Sequence, residues 1–258
     1  MRFFLYSLLF LASILQGAEK PGHILEDPKA RKIILIKDEL LQRKYGIQMA
    51  RYMQELRPTS AINGKGQLRI RSKIGKRKAV PVQFRSFVVG AALVNQYAIS
   101  SGTLTIQQQV GRDTQYAWVE TGRKVERLDG TQAGIPFAGS DFWMVDLGLE
   151  MLRWPHQNVI ERKLRRGELC SVLVSWPAKA VQGGYSKVVS WVDEDSMGIV
   201  RAEMYDSKGK LLKVFEPKSF KKIDGQWHLK EMEMRNEQAN TRTSILFDLE
   251  ETVKPTPK

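Results

Sequence analysis

Cysteine is almost absent from the chain. Cys170 is the only one in 258 residues, so no intramolecular disulfide can staple the fold and stability has to come from an apolar core. Histidine is nearly as scarce. His23, His156 and His228 stand far apart, without the close spacing of metal ligands, so no metal site is expected. No Walker A loop is present: Gly64-Lys65-Gly66 lacks both the spacing and the terminal Lys-Ser or Lys-Thr, and reads as a turn. No nucleophile elbow occurs either, and the two Ser-x-x-Lys matches, Ser207 to Lys210 and Ser219 to Lys222, fall in or beside hairpin turns where an exposed lysine keeps a high pKa. Asp193, Glu194 and Asp195 read as an acidic turn rather than an acid-base pair. The sequence therefore offers no catalytic residue and calls for no cofactor, and the expected protein is not an enzyme.

Long apolar runs are also missing, with one exception. Arg2, an apolar stretch from Phe3 to Leu15, and the small residues Gly17 and Ala18 follow one another in the order of a secretory signal peptide, placed at residues 1–18. The stretch is shorter than the roughly 20 apolar residues a membrane span needs. An uncleaved anchor or a buried first helix is the alternative. No cysteine lies near the cleavage site, so an acylated mature N-terminus is not expected, and the product reads as soluble and periplasmic. Residues 19–252 then read as one domain, since no linker divides them, and 253–258, with two prolines, as a disordered tail.

Acidic residues are outnumbered 28 to 41, leaving a formal net charge of +13. Such a balance suggests an anionic partner, for example a lipid headgroup layer. Nucleic acid is the other standard partner of a basic protein. No helix-turn-helix, zinc-finger or ribonucleoprotein signature is present, and an exported chain rarely meets nucleic acid, so none is expected.

What is present is mainly β pattern. From Lys29 to Leu56 the apolar residues Ile33, Ile36, Leu40, Met49, Tyr52, Met53 and Leu56 recur at helical spacing, which predicts an amphipathic helix, weakened or split at Gly46. Pro58 ends it, and the sheet begins after Asn63-Gly64-Lys65-Gly66. Leu68 to Ile74 alternates apolar and basic residues, as a half-buried strand does, and Gly75-Lys76-Arg77-Lys78 reads as a charged turn. Val80 to Val89, Ala92 to Ile99, Thr103 to Gln108 and Tyr116 to Glu120 read as further strands at meander spacing. Ser140 then caps a predicted helix from Asp141 to about Trp154, with Asp141 and Asp146 near its positive end and Pro155 beyond it. The strand pattern returns from Val159 to Trp176 and in Lys187 to Val192, Ile199 to Tyr205, Leu211 to Phe215, Gln226 to Met234 and Thr241 to Leu249. Roughly ten antiparallel strands with one amphipathic face have to curl or close. The expected fold is mainly β (α+β): a curved antiparallel sheet forming a half-open β-barrel, with the two helices covering its opening and an apolar cavity beneath them.

The side chains that could line this cavity are Phe142, Trp143, Met144 and Leu147 on the middle helix and Trp191, Met204, Met232 and Met234 on the strands. Methionine suits irregular apolar ligands, although an ordinary core is the plainer reading of any one of these residues. Arg69, Arg71, Lys73, Lys76, Arg77 and Lys78 form a basic cluster around the first hairpin. Solvated strand faces explain such a cluster, and contact with anionic headgroups is the functional version.

Several short segments add a family resemblance. Gly139-Ser140-Asp141-Phe142 with Asp146-Leu147, Tyr205-Asp206-Ser207-Lys208-Gly209-Lys210, Ile223-Asp224-Gly225-Gln226-Trp227, Met232-Glu233-Met234-Arg235-Asn236 and Thr241-Arg242-Thr243 occur in the order and spacing seen in outer-membrane lipoprotein-sorting proteins of the LolA-like superfamily. The chain resembles that superfamily over about Met49 to Leu249. The resemblance implies an incomplete antiparallel barrel with helices over its mouth and a carrier of lipid or lipoprotein acyl chains, working between an inner-membrane donor and an outer-membrane acceptor, as a monomer with only peripheral membrane contact. It also admits an RseB-like periplasmic sensor or protein-binding module on the same fold.

Overall fold

The computed structural model describes residues 34–58, 61–122, 125–128, 134–165, 167–179, 182–223 and 226–248. The leader at residues 1–18, His23, the helix start at Lys29, the Asp224-Gly225 turn and the tail at 253–258 lie outside the described residues.

One antiparallel sheet organises the chain. A first meander runs through β2 (Ile62–Arg71), β3 (Arg77–Val89), β4 (Ala92–Ile99), β5 (Gly102–Gln108), β6 (Gln115–Glu120) and β7 (Val125–Leu128). A second runs through β8 (His156–Arg165), β9 (Glu168–Trp176), β10 (Tyr185–Asp193), β11 (Ile199–Asp206), β12 (Leu211–Ile223), β13 (Gln226–Asn236) and β14 (Thr241–Asp248). β14 pairs back onto β2, and the two-residue β1 (Ile34–Leu35) adds to β8, giving the order β1-β8-β9-β10-β11-β12-β13-β14-β2-β3-β4-β5-β6-β7. The sheet curves without closing, with β1 and β7 at its edges. This is the half-open barrel that the strand count and the amphipathic pattern predict.

Fourteen described strands exceed the roughly ten expected from the sequence. β7 carries Glu126 and Arg127 and little apolar alternation, so it lacks the usual sequence signal. β1 falls where a helix is predicted. Ile34 and Leu35 belong to an isoleucine-rich run, and β-branched residues favour the pleated edge of β8 over a helix. β12 continues past Phe215 through Pro217, where a register shift between Pro217 and Ser219 spares the ladder the missing N–H. The Gly64-Lys65-Gly66 segment is strand rather than turn. A Cβ on Gly64 would meet the Phe84 ring at 2.0 Å, and one on Gly66 the Leu246 carbonyl oxygen at 2.5 Å, so these glycines let neighbouring strands and a core ring come close.

The first helix, α1 (Glu39–Glu55), starts at Asp38, whose carboxylate accepts the Leu40 and Leu41 amides at 2.8 and 3.1 Å. Its buried stripe, Gly46, Met49, Ala50 and Met53, follows the helical period and packs on β8. Gly46 is the contact point. A Cβ there would stand 2.2 Å from the Gln157 carbonyl oxygen of β8.

The predicted helix from Asp141 to Trp154 is broken in three. A 3-10 turn at Phe137–Gly139 leads to α2 (Met144–Leu147), a single turn, and Leu149 in left-handed conformation (φ 48) separates α2 from a second 3-10 turn at Glu150–Arg153. Ser140 does not cap α2. Trp143 occupies that place and its amide donates to the Asp146 carboxylate at 2.8 Å. Gly148 packs directly under the Tyr116 side chain of β6, where a Cβ would be 2.4 Å from its hydroxyl, so the segment is pressed against the wall at this point. A straight helix on this segment would not follow the curved wall.

Gly46→Ala sets helix propensity, which favours alanine by about 1 kcal/mol, against a backbone collision that has no flexible partner to move aside. The collision is the larger effect. The variant is expected to lose about 1–3 kcal/mol of stability, read as a lower urea midpoint.

Candidate functional site

β7 ends one edge of the sheet, while β8, the next strand in sequence, lies beside the opposite edge. The connection between them has to cross the concave face. It carries the three helical turns, and Phe137, Phe142, Met144, Leu147, Met151 and Leu152 on it are buried in the main apolar core together with α1 and the inward strand residues.

A small gap remains under this crossover. Phe142, Asp146, Leu147, Leu149 and Met151 bound it from above, and Tyr97 of β4, Ala202 and Met204 of β11, Phe215 of β12 and Met232 and Met234 of β13 bound it from the sheet. Its free volume is about 20 Å³, room for one water. Ligand pockets span about 300–1,000 Å³. Around these described residues the closed crossover therefore fills the concavity that a half-open barrel would otherwise present.

Of the residues singled out in the sequence, Phe142, Leu147, Met204, Met232 and Met234 border the gap. Met144 is buried in the same core without reaching it. Trp143 stacks on Tyr185, with ring centroids 4.7 Å apart and planes 11° off parallel. Trp191 is on the other side of the sheet. Met204 opposes Val188, whereas Trp191 opposes Arg201, three positions away on β11, and an odd separation puts the two side chains on opposite faces. There Trp191 packs with Cys170, Val172 and Val200, and the cationic groups of Lys163, Arg165 and Arg201 lie 5.2–5.8 Å from its ring. Burial pushes the Cys170 thiol up to about 12, which leaves no thiolate at neutral pH.

The polar heart of the crossover was not legible as a site. Lys213 of β12 is completely buried, and its Nζ donates to Asp146 Oδ2 at 3.2 Å and sits 3.6 Å from the Trp143 ring centroid. The Tyr185 hydroxyl donates to the other Asp146 oxygen at 2.8 Å. Asp146 is thus held by a lysine and a tyrosine of the sheet and by the Trp143 amide of its own turn. Further along, Asp141 accepts from Thr241 and Thr243, the latter at 2.8 Å, and its amide donates to Thr243 at 3.0 Å. Both acidic residues predicted to favour a helix dipole instead pin the crossover to the sheet. Lys213 carried a sequence signal: it shares strand parity with the buried Phe215, which marks a lysine on the inward face.

The cluster Arg69, Arg71, Lys73, Lys76, Arg77 and Lys78 is exposed at the β2–β3 hairpin, whose tip also exposes Ile74. Arg71 opposes both Arg77 and Arg242, and Arg242 opposes Arg235, so four arginines form a row across β13, β14, β2 and β3 on the face away from the gap.

A protein-family profile described as uncharacterized protein matches residues 98–257. The chain belongs to that family. No curated protein matches it. Among solved structures it is similar to a DUF1329 family protein from Desulfovibrio piger, at 20% identity and TM-score 0.67, covering 83% of this chain and 95% of the other. A domain named for outer-membrane lipoprotein sorting from Vibrio parahaemolyticus gives 20% identity and TM-score 0.68 over the same shares. A LolA superfamily protein from Nitrosomonas europaea gives 16% identity and TM-score 0.57, covering 84% and 95%. The fold is thus the LolA-like open barrel that the sequence segments suggest.

The Lys213–Asp146 pair makes stability depend on pH. Burial outweighs the pull of Asp146 and lowers the Lys213 pKa to about 8 from 10.5, so above pH 8 the native state holds fewer protons than the unfolded chain. Stability contributed by this lysine therefore rises with pH from 8 towards 10.5 and is lost as pH falls through 8. Measured against a D146N/K213M double variant, the native chain is expected to gain on the order of 1–2 kcal/mol between pH 7 and 9.5. Urea midpoints at the two pH values check it.

Proposed function

We propose that the chain is a periplasmic carrier that takes lipid or lipoprotein acyl chains onto the concave apolar face of its open barrel, in the service of outer-membrane lipoprotein sorting. The observation that carries this reading is the crossover itself. It fills an apolar concavity lined by Met204, Met232, Met234 and Phe215 and is tied to the sheet by a few polar contacts at Asp141 and Asp146. Displacing it exposes a methionine-rich wall suited to acyl chains of varied shape. Burying a chain contributes about 0.8 kcal/mol per CH₂, so part of one chain supplies useful affinity without any covalent step. Similarity to a domain named for lipoprotein sorting supports the choice of cargo. No helix among the described residues is long and apolar enough to cross a membrane.

In this reading residues 1–18 are a cleaved leader, residues 19–252 act as a single monomeric domain, and donor and acceptor proteins of the two membranes load and unload it. Phe142, Leu147, Met204, Met232 and Met234 contact the acyl chain, with Trp143 and Met144 carried away on the opening crossover. The arginine row and the lysines of the β2–β3 hairpin meet anionic headgroups. Like charges directly opposite in a sheet destabilise it, and about 1 kcal/mol per basic side chain is recovered at an anionic surface.

Native mass spectrometry with lipid extraction, on mature protein purified from its own host without detergent, is expected to show acyl lipid or lipoprotein near stoichiometry. A clean apo mass that stays clean when vesicles are offered would overturn the carrier reading in favour of a protein-binding sensor. Arg71→Glu with Arg77→Glu is expected to reduce sedimentation with vesicles containing 25% anionic lipid by roughly tenfold or more, and to flatten its salt dependence.

A further inference from the structure

Burying the Lys213 ammonium is unfavourable by itself, and an apolar side chain of similar volume would serve packing at least as well. Its counter-charge does not come from the sheet. Asp146 is carried by the one-turn α2 on the crossover, next to Phe142 and Leu147, which occupy the concavity. Taken together these side chains have the outline of an anionic amphiphile: an apolar body lying against Met204, Phe215 and Met232, and a carboxylate at its end.

We propose that Lys213, with the Tyr185 hydroxyl beside it, is a head-group site, and that the cargo is an acyl chain bearing a carboxylate or phosphate, for which Asp146 stands in when the barrel is empty. The proposal deepens the carrier reading and rests on it. Lys213 is well placed for this role. It opposes Met204 directly and lies two residues from Phe215, both of which line the gap, so an ammonium stands at the edge of the apolar wall. The gap of about 20 Å³ obliges any such ligand to displace the crossover. Asp146 leaves with it, and Lys213 then faces the site without its carboxylate. A neutral ligand would leave that charge buried and uncompensated, whereas an anionic head restores both the charge balance and the acceptor of the Tyr185 hydroxyl.

The backbone is arranged to let this segment go as a unit. Ala138 (φ 55) and Gly139 (φ 70) precede it and Leu149 (φ 48) follows α2, and left-handed alanine and leucine are strained where glycine is not. The chain from Ser140 to Gly148, which holds Phe142, Asp146 and Leu147, is thereby bounded by two backbone reversals.

The test is displacement of a neutral fluorescent probe from the mature chain at pH 7 by oleic acid and by oleyl alcohol, which differ at the head group. The native protein is expected to bind oleic acid at least tenfold more tightly. In Lys213→Met that ratio falls to near one, and in Asp146→Asn, where the internal competitor is neutral, the affinity for oleic acid rises relative to that for oleyl alcohol. Far-ultraviolet circular dichroism confirms the fold of each variant, and if Lys213→Met does not fold, the native ratio and Asp146→Asn decide. Equal binding of the two lipids by the native chain, or a preference that survives Lys213→Met, overturns the head-group site and leaves the carrier reading standing. Failure of both lipids to displace the probe or to bind either the native chain or Asp146→Asn overturns the carrier reading and this proposal with it.

Discussion

The placement of β7 and β8 at opposite sides of an open sheet is the constraint on which the rest of the structure depends. Apart from β1 and β2, which α1 separates, consecutive strands are neighbours in the sheet, but this connection has to travel from one side of it to the other, and it runs across the concave face. An antiparallel sheet curved this strongly leaves an apolar inner wall. The crossover covers it with its own apolar side chains. The segment that completes the core, like α1, is therefore a part of the core that does not belong to the sheet, and its removal would leave the ladder hydrogen bonds intact.

The crossover's attachment reflects that position. Packing supplies most of its contact with the wall, through Phe137, Phe142, Leu147 and Met151, while direction comes from a few polar anchors. Asp141 takes the hydroxyls of two threonines on β14, and Asp146 takes the lysine of β12 and the tyrosine of β10. Buried ion pairs contribute little net stability because desolvation offsets attraction, yet removing one partner costs about 3–5 kcal/mol. Such a contact holds one arrangement firmly and is replaceable by another anion in the same place. Apolar packing alone has no such selectivity.

Charge on the outer face follows a different rule. Glu216 and Glu233 gather Arg165, Arg201, Lys218, Arg235 and Arg242 into a partly exposed network. Beyond it the basic row continues through Arg71 and Arg77 to the lysines of the hairpin. Networks of this kind are screened by salt and add modestly to stability. Their weight falls on encounter, since a basic convex surface is drawn to anionic ones.

Strand positions and the inward methionines were legible from the sequence because alternation of period two survives in a single strand: Met232 and Met234 share a face whatever the strand pairs with. Likewise Leu68 and Ile70 point inward and Arg69 and Arg71 outward on local pattern alone. Comparisons between strands were not legible. Whether Trp191 joins Met204 depends on the register of β10 against β11, and a separation of three residues sent it to the other face. The middle helix failed for a related reason, because Asp141, Asp146 and a run of apolar residues are a sound local helix pattern, whereas in the fold the two aspartates bond to distant strands and Leu149 turns left-handed. Lys213 and Asp146 stand 67 residues apart, and no local rule pairs them. The sequence by itself thus determined which residues turn inward along each strand and that the sheet had to curl. Only the tertiary structure decided what the concavity holds, because that depends on contacts between segments far apart in the chain, set by strand order and register.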